Sequence, residues 1–124
     1  MIQRELTDKI LKAFYRVYNT LGYGFLEKVY ENAMLLELRG MGLRCERQRP
    51  IKVYYKEHQV GEYFADLIVE DGVIIELKVA EGLVEAHEFQ LINYLKATEI
   101  EVGLLLNFGK KPQFKRKVFT NQSA

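Results

Sequence analysis

"DLIVEDGVIIELKV", residues 66–79, holds two apolar runs joined by an acidic turn. The pattern reads as a β-hairpin buried at the centre of a sheet. Three charges interrupt it: Asp66, Glu76 and Lys78 stand inside the runs, where burying charge is costly. Side chains alternate along a strand. Val73, Ile75, Leu77 and Val79 should line one face, and Ile74, Glu76 and Lys78 the other. In the preceding strand, Tyr63, Ala65, Leu67 and Val69 should share a face, with Phe64, Asp66 and Ile68 opposite.

The turn sets whether the two acids meet. A two-residue Asp71-Gly72 turn would put Asp66 opposite Leu77 and send the carboxylates to opposite faces. A three-residue Glu70-Asp71-Gly72 loop pairs Val69 with Val73 and puts Asp66 opposite Glu76. Such loops use a left-handed residue, which Gly72 suits. Directly opposed Cβ atoms lie ~4.5–5.5 Å apart, so two carboxylates there repel unless a positive charge lies between them. We therefore expect the three-residue register with a divalent cation between Asp66 and Glu76. An ion pair between Lys78 and one carboxylate fits the hairpin equally well.

Outward from the hairpin, Leu6, Ile10, Ala13, Phe14, Val17 and Leu21 recur at helical spacing over residues 4–20. "GYG" at 22–24 interrupts, and a second helix follows over 25–40, with Leu26, Val29, Tyr30, Ala33, Leu36 and Leu38 as its apolar positions. "LRCERQRPIKVYY" (43–55), "VGEYFADLIVE" (60–70) and "VIIELKVA" (73–80) read as strands. Helical spacing returns from about Leu83. "EVGLLLNF" (101–108) is a short buried strand, "NFGKKPQF" (107–114) contributes a loop, and "KRKVFT" (115–120) is a last strand. The order α-α-β-β-β-α-β-β, with no repeat or linker, indicates one α/β domain over residues 1–124 with a mixed sheet flanked by helices.

A chain of 124 residues with 48% hydrophobic content can build a real core. The net charge of +1 does not announce a nucleic-acid partner. Two basic clusters stand out, however: Arg39 to Lys56, and Lys110 to Lys117, which includes Lys115 and Arg116. They could track phosphates or simply face solvent. The single Cys45 rules out an internal disulfide and a multi-cysteine metal site. The first residues lack an apolar signal core, and no apolar run could cross a bilayer, so a cytoplasmic protein with no membrane partner is expected.

Carboxylates without Cys or His partners favour a hard ion, Mg²⁺ or Mn²⁺. One of its waters could act as nucleophile, with Lys78 orienting it or offsetting phosphate charge. Metal-assisted phosphodiester hydrolysis suits this set. On the third helix His87, Gln90 and Tyr94 form one stripe. Gln90 and Tyr94 could position a phosphate or the water, and His87 could touch substrate. Glu27 opens the second helix, where the helix dipole favours an acid in any case; it could also be a third carboxylate. Tyr30, one turn later, is a further candidate substrate contact with Lys115 and Arg116.

"GFLEKVY", Gly24 to Tyr30, resembles the Gly-x-x-Glu-x-x-Tyr signature of the GxxExxY protein family, and "AHEFQLINYLK" and "GLLLNFG" resemble its later segments. That family is similar to the PD-(D/E)XK nuclease superfamily. The resemblance implies a restriction-endonuclease-like core. It makes Asp66 the motif aspartate, Glu76 and Lys78 the Glu-x-Lys pair, Gln90 and Tyr94 a Gln-x-x-x-Tyr element, and Glu27 the helical acid completing the metal site. Ala65 departs from the proline of the superfamily's name. The function implied is a Mg²⁺-dependent nuclease acting on DNA or RNA, working as a homodimer or with a partner protein if it needs base specificity. The alternative is a non-cleaving nucleic-acid-binding or regulatory module on the same fold.

Overall fold

The computed structural model describes residues 3–120. Its elements are α1 (Arg4–Leu21), α2 (Glu27–Gly40), β1 (Cys45–Tyr55), β2 (His58–Val69), β3 (Val73–Lys78), α3 (Glu85–Lys96), β4 (Val102–Phe108) and β5 (Pro112–Val118). The order is the expected one. The five strands form one mixed sheet, β1-β2-β3-β4-β5. β3 and β4 are parallel, because α3 crosses over between them, and every other pair is antiparallel.

The two faces are covered by different helices. Ile10 and Phe14 of α1, with Tyr30, Met34 and Leu38 of α2, pack against Leu67, Ile75, Leu77, Leu104 and Leu106. Leu91, Tyr94 and Leu95 of α3 pack on the other face against Ile51, Ala65, Ile74 and Leu105. β3 is therefore sandwiched, and only Lys78 at its end is not fully buried. α3 sits close to β4 because residue 103 is glycine: a Cβ there would lie 2.6 Å from the Leu91 side chain. No helix among the described residues is long and apolar enough to cross a membrane.

The hairpin takes the three-residue register, with Val69 opposite Val73 and Leu67 opposite Ile75. Its left-handed residues are Glu70 and Asp71 (φ 53° and 50°), not Gly72. Two consecutive left-handed residues make the mirror-image turn that matches strand twist. Arginines hold both acids in place: the Arg44 backbone N–H donates to the Glu70 carboxylate at 2.6 Å, and Arg49 pairs with Asp71. A Cβ at Gly72 would meet only the end of the exposed, flexible Gln3 side chain, which can move aside.

Simple alternation fails in β2. Leu67 and Val69 face α1 and α2, but Ala65 packs on the α3 side, and the Tyr63 ring lies 5.5 Å from that of Tyr94. The faces switch at Asp66. Across from it in β1, Gln48 takes a left-handed φ of 55°, while the pairing keeps one register on both sides, Arg47 with Leu67 and Arg49 with Ala65. Both strands thus rotate together at this point.

Three smaller corrections follow. β5 begins at Pro112, so the loop after β4 is shorter than expected; proline is tolerated as the first residue of an edge strand. Of the apolar positions assigned to α2, Leu26 and Leu36 are 78% and 75% exposed, while Met34 and Leu35 are buried in their place. Helices α2 and α3 each start two residues later than their apolar spacing suggests. Cys45 is buried, and burial pushes its thiol up to about 11, which makes it inert as a nucleophile.

Candidate active site

The β2–β3 ladder stops at Leu67 and Ile75. Carried one step further, the same register sets Asp66 against Glu76. There the Leu77 backbone N–H donates to Asp66 Oδ2 at 2.8 Å. Glu76 is 6% exposed, and its carboxyl is pushed up to about 10. Burial is the first cause, followed by the hydrogen bond and negative charge of Asp66; Lys78 acts in the opposite direction. Glu76 Oε1 is buried and has no hydrogen-bond partner among the described residues. The two acids therefore share a site that cannot hold two negative charges without added positive charge.

Lys78 ends β3, paired with Asn107 of β4. Its ammonium acts on both Glu76 and Glu27. Glu27 is the first residue of α2 and solvent-exposed. Its carboxyl is nonetheless raised, first by partial desolvation and then by the charge of Asp66. Tyr94 is buried, and its hydroxyl is pushed up to about 12 by burial and then by Glu76 and Asp66, so it stays a neutral donor. Asp66, Glu76, Lys78, Glu27 and Tyr94 thus converge. Gln90 lies one turn before Tyr94 and is exposed.

The peripheral candidates fare differently. Tyr30 cannot touch substrate: it is fully buried, its ring is stacked on Phe108 with centroids 4.3 Å apart, and its hydroxyl donates to the Gly22 carbonyl at 2.6 Å. His87 is half-buried, and its Nδ1 accepts the Val84 N–H at 3.4 Å in the first turn of α3, a local structural contact. Lys115 is exposed on edge strand β5, in the row Glu76–Leu105–Lys115. Two strand spacings place it roughly 10 Å from the acid. Arg116 faces the other side of the sheet, opposite Leu104.

Two supporting groups escaped the sequence reading. Asn107, fully buried, clamps Ala80: its side-chain oxygen accepts the Ala80 N–H and its amide donates to the Ala80 carbonyl, both at 2.9 Å. The clamp fixes the chain just beyond Lys78. A lone amide inside the apolar run "GLLLNFG" was the available signal. Glu31, also buried, receives Lys28 Nζ at 2.5 Å and Gln48 Nε2 at 2.8 Å, tying α2 to the rotated point of β1. Nothing in the local pattern marks Gln48 for that partner.

Among the described residues, no group of three or more Asp, Glu, His or Cys side chains is close enough to form a ready-made metal cage. The fit to a cation rests on the pair itself: two carboxylates side by side, with a buried, orphaned oxygen on Glu76, whose carboxyl is raised first by burial and then by Asp66. That donor set suits a hard divalent ion that keeps water in its remaining positions.

The sequence model of the PD-(D/E)XK nuclease superfamily matches residues 4–117. No curated protein matches the chain. Among solved structures, the crystal structure of SSO0001 superposes with a TM-score of 0.62 at 16% identity, over 77% of this chain and 52% of that one. This chain thus spans about half the length of SSO0001, and the likeness concerns the fold. Hjc, a Holliday junction resolvase from the archaeal hyperthermophile Archaeoglobus fulgidus, superposes at 0.46 with 17% identity over 73% of each chain.

Proposed function

The chain belongs to the PD-(D/E)XK nuclease superfamily, and from that premise we propose that it is a metal-dependent nuclease hydrolysing phosphodiester bonds of DNA or RNA. The observation that carries this reading is the Asp66–Glu76 pair with its orphaned Oε1. An acid pair kept only for structure would lose nothing by becoming Asn and Gln, and would avoid the cost of burying the Glu76 carboxyl beside a second acid.

Asp66 and Glu76 would hold a divalent cation, Mg²⁺ or Mn²⁺, with Glu27 assisting directly or through water. When bound, such an ion supplies charge neutralisation at the phosphate and an acidified water. Lys78 presents an ammonium beside the pair, suited to a non-bridging phosphate oxygen or to the attacking water. Tyr94, held neutral, donates a hydrogen bond toward the same space, and Gln90 extends that donor line to the surface. The finer resemblance to GxxExxY proteins rests on Gly24, Glu27 and Tyr30. These serve the site in different ways: Glu27 as an acid facing Asp66, and Tyr30 as a buried strut beneath the loop before it.

The test is cleavage of labelled single-stranded, duplex and branched DNA, and of RNA, with Mg²⁺, Mn²⁺ or EDTA. Glu76→Gln and Lys78→Ala proteins are run beside the parent. Metal-dependent cleavage lost in both variants is the expected result. Binding without cleavage of any substrate would replace this reading with the non-cleaving module.

A further inference from the structure

The loop before α2 presents two aromatic rings to solvent just ahead of Glu27, the helical acid coupled to Asp66. Tyr23 is 58% and Phe25 48% exposed, and Phe25 stands two residues before Glu27. These rings are not on a floppy loop. Gly22 and Gly24 take φ of 71° and 110°, and the buried Tyr30 hydroxyl holds the segment by donating to the Gly22 carbonyl and accepting the Phe25 N–H at 3.3 Å. Phe25 also packs edge-on against the Tyr30 ring, with centroids 6.1 Å apart. On the other side, Tyr18 donates to the carbonyls of Gly109 and Lys110 at 2.8 and 2.6 Å, fixing the turn after β4. Between the two pinned turns lies a groove of about 280 Å³, floored by Val79 and Phe108, with Glu81 and Lys110 among its lining residues. Val79 directly follows Lys78.

We infer that this groove is a stacking subsite that takes one unpaired nucleobase of the strand whose phosphate lies at Asp66 and Glu76, so that the preferred substrate is single-stranded or locally unpaired nucleic acid. The inference rests on the nuclease reading for the position of the phosphate. Three features select this occupant. The groove lies just below the range of small-ligand pockets, roughly 300–1,000 Å³, so it suits one planar group and not a duplex. Its walls are aromatic faces, which stack on any base without reading it. The exposed side chains of Lys110 and Lys111 flank it and can follow the strand's phosphates.

The experiment measures binding of labelled single-stranded DNA, single-stranded RNA of the same sequence, and duplex DNA to the full chain in EDTA, over a salt series. Parent, Tyr23→Ala and Phe25→Ala proteins are compared, and 2-aminopurine in the strand reports stacking. Both side chains are exposed, so the variants should fold. The expected result is single-strand affinity weakened roughly 5- to 150-fold with the salt slope unchanged, because lost stacking releases no counterions. Duplex affinity should change little, and 2-aminopurine quenching should be lost. Equal preference for DNA and RNA fits the subsite; a strong preference for one adds a sugar contact to it. Unchanged single-strand affinity in both variants overturns it, as does a change of oligomeric state in place of binding, which would make the patch a subunit interface. Because binding is read without metal, the two readings fail separately. Stacking without any Mg²⁺-dependent cleavage sinks the nuclease and keeps the subsite. Glu76-dependent cleavage with unaltered binding by the variants sinks only the subsite. No nucleic-acid binding at all overturns both.

Discussion

The backbone N–H of Leu77 donates to Asp66 Oδ2 at 2.8 Å, so a side chain replaces the next rung of the β2–β3 ladder. The strands part where the acids stand, and the same carboxylate that faces Glu76 closes the gap. Asp66 therefore has a structural and a chemical duty, which substitution can separate. Asn retains an oxygen that can accept the Leu77 N–H but loses the charge. Asp66→Asn should unfold within about 1 kcal/mol of the parent, whereas Asp66→Ala should lose about 1–3 kcal/mol, because a buried N–H is left unpaired. Cleavage should fall in both by at least the roughly 100-fold that follows loss of a ligand's outer partner. Urea unfolding beside a cleavage assay checks this. Equal destabilisation by Asn and Ala would remove the structural duty.

Glu76 sets a pH dependence with a definite sign. Its folded-state value of about 10 lies above the ordinary 4.5, so between those values the folded protein holds a proton that the unfolded chain has released. Without metal, this contribution to stability is complete below about pH 4.5 and is lost as pH rises toward 10. The slope cannot exceed about 1.4 kcal/mol per pH unit for one proton. Denaturant melts in EDTA at pH 6 and 9 should therefore show the parent weaker at pH 9. Glu76→Gln, which mimics the protonated acid, should flatten the difference. Mg²⁺ should stabilise the parent more at pH 9 than at pH 6, since releasing the Glu76 proton to the solvent costs less there. A parent insensitive to pH over this range, or as sensitive as its Gln variant, would contradict the assignment.

What the sequence makes legible follows from periodicity, and it stops where periodicity does. Element order, the buried β3 and the three-residue register come from apolar spacing and from the repulsion between Asp66 and Glu76. The rotation at Asp66 does not, because it depends on Gln48 taking a left-handed conformation in a different strand. Alternation from Leu67 therefore put Ala65 and Tyr63 on the wrong face. Tyr30 shows a second limit. Its spacing from Glu27 marks the pair, but spacing cannot tell a hydroxyl aimed at substrate from one aimed at the Gly22 carbonyl. Asn107 shows the reverse case, a polar residue in an apolar run that pattern reading passed over.

Asn107 is the positioning residue for the end of β3. Asn107→Ala removes both hydrogen bonds to Ala80 and leaves that backbone's N–H and C=O without their partner. A loss of about 2–4 kcal/mol is expected. Asn107→Asp keeps the acceptor for the Ala80 N–H but turns a negative oxygen toward the Ala80 carbonyl, so it should not rescue. The informative readout is cleavage by the folded fraction at low temperature. If the clamp orders Lys78, kcat should fall while metal-induced stabilisation, which depends on Asp66 and Glu76, persists. Full kcat in a folded Asn107→Ala protein would reduce the clamp to a stability element.

Three glycine-to-alanine changes should rank by what the new methyl meets. At Gly109 the Cβ would lie 2.3 Å from the Ala80 carbonyl oxygen, a backbone atom already fixed by Asn107. Neither side can yield, so Gly109→Ala should cost about 3 kcal/mol, at the upper end of overpacking. At Gly103 the Cβ meets Leu91 Cδ1 at 2.6 Å and Cγ at 2.8 Å; Leu91 is fully buried, so α3 must shift outward, and about 1–2 kcal/mol is expected. At Gly40, the last residue of α2, nothing lies within 4 Å and φ is ordinary. Gly40→Ala should therefore stabilise by up to about 1 kcal/mol, by restricting the unfolded chain and favouring the helix. Thermal unfolding of the three variants tests the ranking. Gly109→Ala should also depress cleavage, because the displaced Ala80 lies two residues from Lys78. A Gly109→Ala protein as stable as Gly103→Ala would show that the close approach of the β3 and β4 ends is not the tight contact described above.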